Sequence, residues 1–207
     1  MFDAAVSFDP ETHTYTIQGK PVPGVTRVLR ALLRFGGASP EVIAAACEMG
    51  TKVHQVVELE EEGTLDEDEL DPILEPSLLQ YRRFKAATGF RCTHSEQLVY
   101  STRYGFAGCL DLSGIFPAAP ADEIALIDVK TGSSLPPTVG PQTAGYDIAA
   151  RESLRIPSHI RTKRYSLHLR PDFYTLTPLA GGLSDQTTFL SGLNILRWCN
   201  DKRISGF

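Results

Sequence analysis

Two acidic residues and a lysine in apolar surroundings are where this chain has the means to do chemistry. If Leu126-Ile127-Asp128-Val129-Lys130-Thr131-Gly132 is a strand, its side chains alternate. Asp128 and Lys130 then project from one face, while Ile127 and Val129 enter the core from the other. A carboxylate beside an ammonium at a strand end can hold a cation and place positive charge near a phosphate. An Asp-x-Lys step arises by chance about once in a chain this long, and alone it is more often a structural ion pair. The weight falls on what accompanies it.

Asp111 comes first, within Gly108-Cys109-Leu110-Asp111-Leu112. This segment reads as the preceding, antiparallel strand, and a carboxylate among Leu110, Leu112 and Ile115 must be met by a cation or by hydrogen bonds. Gly108 removes a side chain nearby, which would let a bulky substrate backbone approach. Cys109 shares the parity of Asp111, and packing is its simpler role. Upstream, Gly50-Thr51-Lys52-Val53-His54 with Glu58 puts His54 and Glu58 on one helix face. Downstream, Gln142-Thr143-Ala144-Gly145-Tyr146 offers an amide and a phenol one turn apart. Neither pair means much in isolation.

Together and in this order, the four segments resemble the PD-(D/E)xK nuclease superfamily, in its RecB-like exonuclease branch. That branch, which includes phage and bacterial recombination exonucleases and mitochondrial genome maintenance exonuclease-like proteins, has a helical histidine, a Gly-x-x-Asp strand, Asp-x-Lys and a helical Gln-x-x-x-Tyr. The resemblance spans about residues 40–180. It implies Asp111, Asp128 and Lys130 as the catalytic set, and His54, Asp111, Asp128 and the Val129 carbonyl as ligands of Mg²⁺ or Mn²⁺. Such an ion would activate a water and polarise the scissile phosphate, with Lys130 orienting or helping to deprotonate that water. Gln142, Tyr146 and Gly108 would contact the substrate, Tyr146 also by stacking on a base. Glu58 is a further candidate, and Glu96 would stand behind the ligands. The function implied is a metal-dependent DNA exonuclease of recombination, repair or phage DNA processing. The alternatives are a structure-specific or restriction-type endonuclease, or a catalytically silent DNA-binding module on the same fold. The iron–sulfur members of the branch carry a tight cysteine cluster near the C-terminus. Here only Cys199 lies late in the chain, so no iron–sulfur cluster is expected.

These residues require a sheet with helices around it. The pattern predicts a hairpin (Ala5–Phe8, His13–Ile17), with Gly19-Lys20-Pro21 as the turn that follows. Helices are expected over Val25–Phe35, from the Ser39-Pro40 start to about Glu61, and over Pro76–Thr88 before Gly89. Strands are expected at Thr93–Ser101, Gly105–Phe116 and Glu123–Lys130, followed by a helix over Gln142–Leu154. Strands Arg164–Leu169 and Tyr174–Pro178 and a helix over Leu183–Lys202 close the chain. The expected fold is α/β, a restriction-endonuclease-like core with a central mixed sheet flanked by helices, plus an N-terminal β-hairpin and helix. As one nuclease domain over 1–207, it divides into hairpin and helix (1–38), core (39–180) and C-terminal helix (181–207).

Composition sets the surroundings. The 207 residues are 42% hydrophobic and 22% charged, ordinary for a globular domain. No long apolar run or secretory leader is visible, so the expected setting is the cytoplasm of a bacterium or phage host, away from membranes. The four cysteines are too scattered for a zinc site or disulfide framework and read as reduced, mostly buried thiols. A net charge of −5 looks unsuited to DNA, but ten of the 25 acids fall within residues 58–75, which hold no Lys or Arg. The rest carries 20 basic against 15 acidic residues. Clusters at Arg82-Arg83-Phe84-Lys85 and Arg161-Thr162-Lys163-Arg164 permit a nucleic-acid face, and Lys163 and Arg164 begin a strand that would track DNA. The expected partners are DNA and a recombination or single-strand-binding protein. The acidic stretch would border the cleft entrance or meet a basic partner.

Overall fold

The computed structural model describes residues 6–10, 12–30, 40–132 and 134–204. Strands β1 (Val6–Asp9), β2 (Thr14–Ile17) and β3 (Lys20–Val22) form an antiparallel N-terminal sheet. Lys20-Pro21, expected within a turn, is instead part of the third strand. The turn is tighter and made by Gln18 and Gly19, both at positive φ. Helix α1 is described over Val25–Arg30. The rest of the expected helix, its Gly36-Gly37 stop and the Ser39 cap lie outside the described residues.

The main sheet has the order β4 (Arg91–Ser101), β5 (Phe106–Ile115), β6 (Glu123–Lys130), β7 (Arg161–Leu169) and β8 (Tyr174–Pro178). Only β6 and β7 pair in parallel. Their crossover is α4 (Val139–Ser153), and such a connection has to cover one sheet face. Helices α2 (Pro40–Glu62) and α3 (Glu75–Thr88) precede the sheet, and α5 (Gly182–Asp201) follows it. The fold is therefore mixed α/β, a five-stranded mixed sheet with flanking helices and a small N-terminal antiparallel sheet.

Alternation along β6 builds two cores. Ala125, Ile127 and Val129 join Val53, Val57, Leu78 and Phe84 of α2 and α3. On the other face Leu126 packs with Ala149 and Ala150 of α4, Phe189 and Leu193 of α5, and Val28 of α1. Helix α3 begins with a proline in its first turn and ends at Gly89, whose φ of 67° lets its N–H close back on the Lys85 carbonyl. Among the described residues, no helix is long and apolar enough to cross a membrane. All four cysteines are free thiols, as expected, but they are not mostly buried: Cys199 is buried, Cys92 and Cys109 are half-buried and Cys47 is exposed.

Both expected basic clusters are largely taken up in ion pairs. Arg82 bonds Glu60 and Glu67, and Lys85 bonds Glu61. Part of the acidic stretch thus folds back onto α3 instead of presenting its charge outward. Arg161 pairs with Asp122. Arg164 is 6% exposed and bonds Gly140 O, Thr143 Oγ1 and Asp185. It ties α4 to α5 and is not part of a surface DNA track. Lys163 is exposed, beside the Tyr165 ring. It pairs with Ala125 at the opposite end of β6 from Lys130, about 16 Å away along the strand.

Candidate metal and catalytic site

The site lies where β5 and β6 separate. Their paired residues are Gly114↔Ala125, Ser113↔Leu126 and Leu112↔Ile127. Further along, the Asp111 carboxylate, not a β5 carbonyl, accepts the Val129 N–H, at 2.6 Å. A buried N–H has to be satisfied, and Asp111 does this while bridging the gap between the strands.

Helix α2 supplies His54. Its Nδ1 donates to Glu96 Oε1 of β4 at 3.1 Å and lies 3.7 Å from Asp111 Oδ1, and its Nε2 donates to the Val129 carbonyl at 3.2 Å. Ligand atoms of His54, Glu96 and Asp111 all lie within 4.8 Å of one another. The structure therefore brings Glu96 into direct contact with His54, in front of the place expected for it. Glu58, one turn from His54, stays outside the trio. Burial and then the Glu96 charge raise its carboxyl above the ordinary range.

Asp128 and Lys130 share the face of β6 away from Ile127 and Val129, as alternation requires. Asp128 is fully buried, and its Oδ2 lies 2.6 Å from Lys130 Nζ. Its Oδ1 has no hydrogen-bond partner among the described residues. Across the parallel pairing, Asp128 stands beside Ser166 and Lys130 beside His168. His168 and Arg170 both contact the Gly132 carbonyl, holding the start of the loop after Lys130.

The electrostatics are those of a site with too much buried negative charge. Burial pushes the Asp111 carboxyl up to about 7; His54 opposes that rise and Asp128 adds to it. Burial works against charge on His54, but Asp111 and Glu96 outweigh it and raise the imidazole to about 9. Burial likewise disfavours charge on Lys130, yet Asp128 and Asp111 hold its ammonium above the ordinary range. Mixed histidine and carboxylate donors, with an orphaned buried carboxylate oxygen alongside, fit a hard divalent cation. In this arrangement the His54 imidazolium occupies the Val129 carbonyl and draws the carboxylates together, as a cation would.

Helix α4 contributes Gln142 and Tyr146, both buried, with Gln142 Nε2 donating to the Tyr146 hydroxyl at 3.4 Å. Burial, then Asp111 and Asp128, raise the phenol well above its usual value, which places it within their field. Tyr146 is 4% exposed, so its face is not open for stacking on a base. Gly108 explains why. A Cβ there would come within 2.8 Å of Tyr146 Cε1 and 3.0 Å of Val25 Cγ2. The room expected for a substrate backbone is taken by the tyrosine ring.

Two residues enter the surroundings without having been singled out as site residues. Cys109 Sγ donates to Glu96 Oε2 at 3.1 Å, and burial with the Glu96 charge keeps the thiol protonated. Tyr15 of β2 is buried, and burial first, then Cys109 and Glu96, push its phenol up to about 12. The parity of Cys109 with Asp111 was a usable signal. For Tyr15 there was none, because the N-terminal sheet reaches the site only in three dimensions.

No protein-family profile and no curated protein sequence matches this chain. Among solved structures, an alkaline exonuclease (LHK-Exo) from Laribacter hongkongensis is similar at 16% identity and a TM-score of 0.34, over 87% of this chain and 92% of that one. LHK-Exo in complex with dAMP is similar at 17% identity and a TM-score of 0.34, over 85% and 88%. A likeness this distant carries no weight for activity, which has to be argued from the site.

Proposed function

We propose that this protein is a metal-dependent deoxyribonuclease on a restriction-endonuclease-like core, an exonuclease of the RecB-like branch of the PD-(D/E)xK superfamily. It would act in DNA recombination, repair or phage DNA processing, with a recombination or single-strand-binding protein as companion. The observation that carries the reading is the convergence of His54, Glu96 and Asp111 beside the Asp128–Lys130 pair, where β5 and β6 part.

His54, Glu96 and Asp111 would hold Mg²⁺ or Mn²⁺, with Asp128 and the Val129 carbonyl alongside. When bound, the ion supplies an acidified water and a polarised phosphate. Lys130, kept charged by Asp128 and Asp111, orients the water and offsets the negative charge that grows on the phosphate. Asp111 keeps β6 in place through the Val129 N–H while offering its other oxygen to the site. The Gln142 amide holds the Tyr146 hydroxyl, which lies in the field of Asp111 and Asp128 and would donate to a substrate oxygen there.

The test is degradation of end-labelled linear and circular DNA, single- and double-stranded, with Mg²⁺ or Mn²⁺, alongside Lys130→Ala. Metal-dependent loss of linear DNA alone, abolished in the variant, is the expected result. Cutting of circles would make it an endonuclease. Binding without cutting by either protein would make it a silent binding module.

A further inference from the structure

Beside the proposed cleft is a recess of about 240 Å³ between the N-terminal sheet, the start of α1 and the end of α5. Arg27, Thr26, His13, Tyr15, Gly24 and Asn200 line it, and among the described residues no carboxylate does. That is unusual ground on a chain of net charge −5. Arg27 is exposed and forms no ion pair among the described residues. A guanidinium, a hydroxyl and an amide around one concavity are the donors that phosphate oxygens need.

The aromatic side is equally specific. His13, at a φ of 52°, is exposed, and its ring stands edge-on to Phe8 and Tyr15, 5.2 and 6.2 Å between centroids. Phe8 and Tyr15 stack on each other at 4.6 Å. His13 lies in the turn between β1 and β2, where a left-handed backbone is ordinary for histidine. The turn sets its imidazole in the lining of the recess. Aromatic rings beside an unpaired cation are how single strands are gripped without regard to sequence.

The recess is also joined to the site. Gly24 bridges Ala107 of β5, whose N–H donates to the Pro23 carbonyl, and Val25 touches Gly108. Asp111 is four residues further along β5, about 13 Å. That is a span of roughly four nucleotides at the rise of a duplex strand.

We propose that this recess binds one nucleotide unit of DNA, with its phosphate on Arg27 and its base against His13. This rests on the nuclease reading and adds a second grip, which holds the strand while a bond roughly four nucleotides away is cut. The chemistry recognised is that of a nucleoside monophosphate, whether within a strand or free.

The experiment is fluorescence anisotropy of a short, end-labelled single-stranded oligonucleotide over a range of salt concentrations. It uses the full chain carrying Lys130→Ala, so that the strand survives. Arg27→Ala should weaken binding roughly tenfold or more and reduce the slope of log affinity against log salt by about 0.7. Arg27→Lys should keep the slope, and His13→Ala should weaken binding roughly fivefold or more. Displacement of the strand by dCMP, dependent on Arg27, would assign the recess to a mononucleotide. Arg27 dependence without displacement would assign it to a nucleotide within a strand. Failure of the parent protein to bind either probe overturns the proposal, as does binding unchanged by Arg27→Ala and His13→Ala. Cleavage by the protein with Lys130 intact is read in parallel. Arg27-dependent binding without cleavage removes the nuclease reading and leaves the recess, whereas cleavage with Arg27-independent binding removes the recess alone.

Discussion

Gly108→Ala separates two accounts of the same glycine. If Gly108 faces open space for substrate, an added methyl group leaves the fold untouched and affects only activity. The structure puts that methyl carbon 2.8 Å from Tyr146 Cε1 and 3.0 and 3.3 Å from two carbons of Val25. Carbon atoms rest about 3.5–4.0 Å apart, so the tyrosine ring would have to retreat by roughly 1 Å. Tyr146 is 4% exposed and Val25 1%, which leaves neither an easy way out. Overpacking of this kind costs about 1–3 kcal/mol. For a domain of this size that is a fall in Tm of roughly 2–12 °C. Metal-free thermal melts followed by circular dichroism would measure it. In a Tyr146→Leu background the same change should cost less, with a coupling of at least about 0.5 kcal/mol. The retreating ring also carries its hydroxyl away from Asp111 and Asp128, so cleavage should fall along with stability. A Gly108→Ala protein melting within about 1 °C of its parent would refute the packing argument.

Mn²⁺ or Mg²⁺ should raise the melting temperature of the parent protein, by the equivalent of about 2.7 kcal/mol at a hundredfold excess over Kd, and Asp111→Asn should abolish the rise. Lys130→Met removes the partner of a fully buried carboxylate. Urea unfolding without metal should show a loss of about 2–4 kcal/mol, somewhat below the range for a fully buried pair because the lysine side chain is 20% exposed. Arg164→Met should lower stability by about 3–5 kcal/mol, while Lys163→Ala leaves it unchanged and DNA affinity intact, both read by urea unfolding and strand binding. Arg82→Ala should cost no more than about 1 kcal/mol, and less still in high salt, since its side chain is 40% exposed.

Much of this protein was determined locally, and those parts were legible. Glu123–Lys130 and Tyr174–Pro178 occur as strands with the bounds expected, because alternation between turn-forming residues is a property of the segment itself. The same alternation sets Asp128 and Lys130 on one face and sends Ile127 and Val129 into the core. Helix α3 ends at Gly89 for an equally local reason, the left-handed backbone that glycine accepts. What only the tertiary structure decided is which groups meet. Glu96 reaches His54 because β4 slips register between Cys92 and His94 and Glu96 itself takes a φ of 44°. A bulge re-aims side chains in a way that a period of two cannot anticipate. Arg164 and Arg82 look alike as members of basic clusters, yet Asp185 buries one and Glu60 and Glu67 cover the other. The Coulomb interaction depends on separation in space, and the sequence lists charges without their distances. Gly108 and Tyr146 stand 38 positions apart, and only the packing of α4 against the sheet shows that the absence of one side chain makes room for the other.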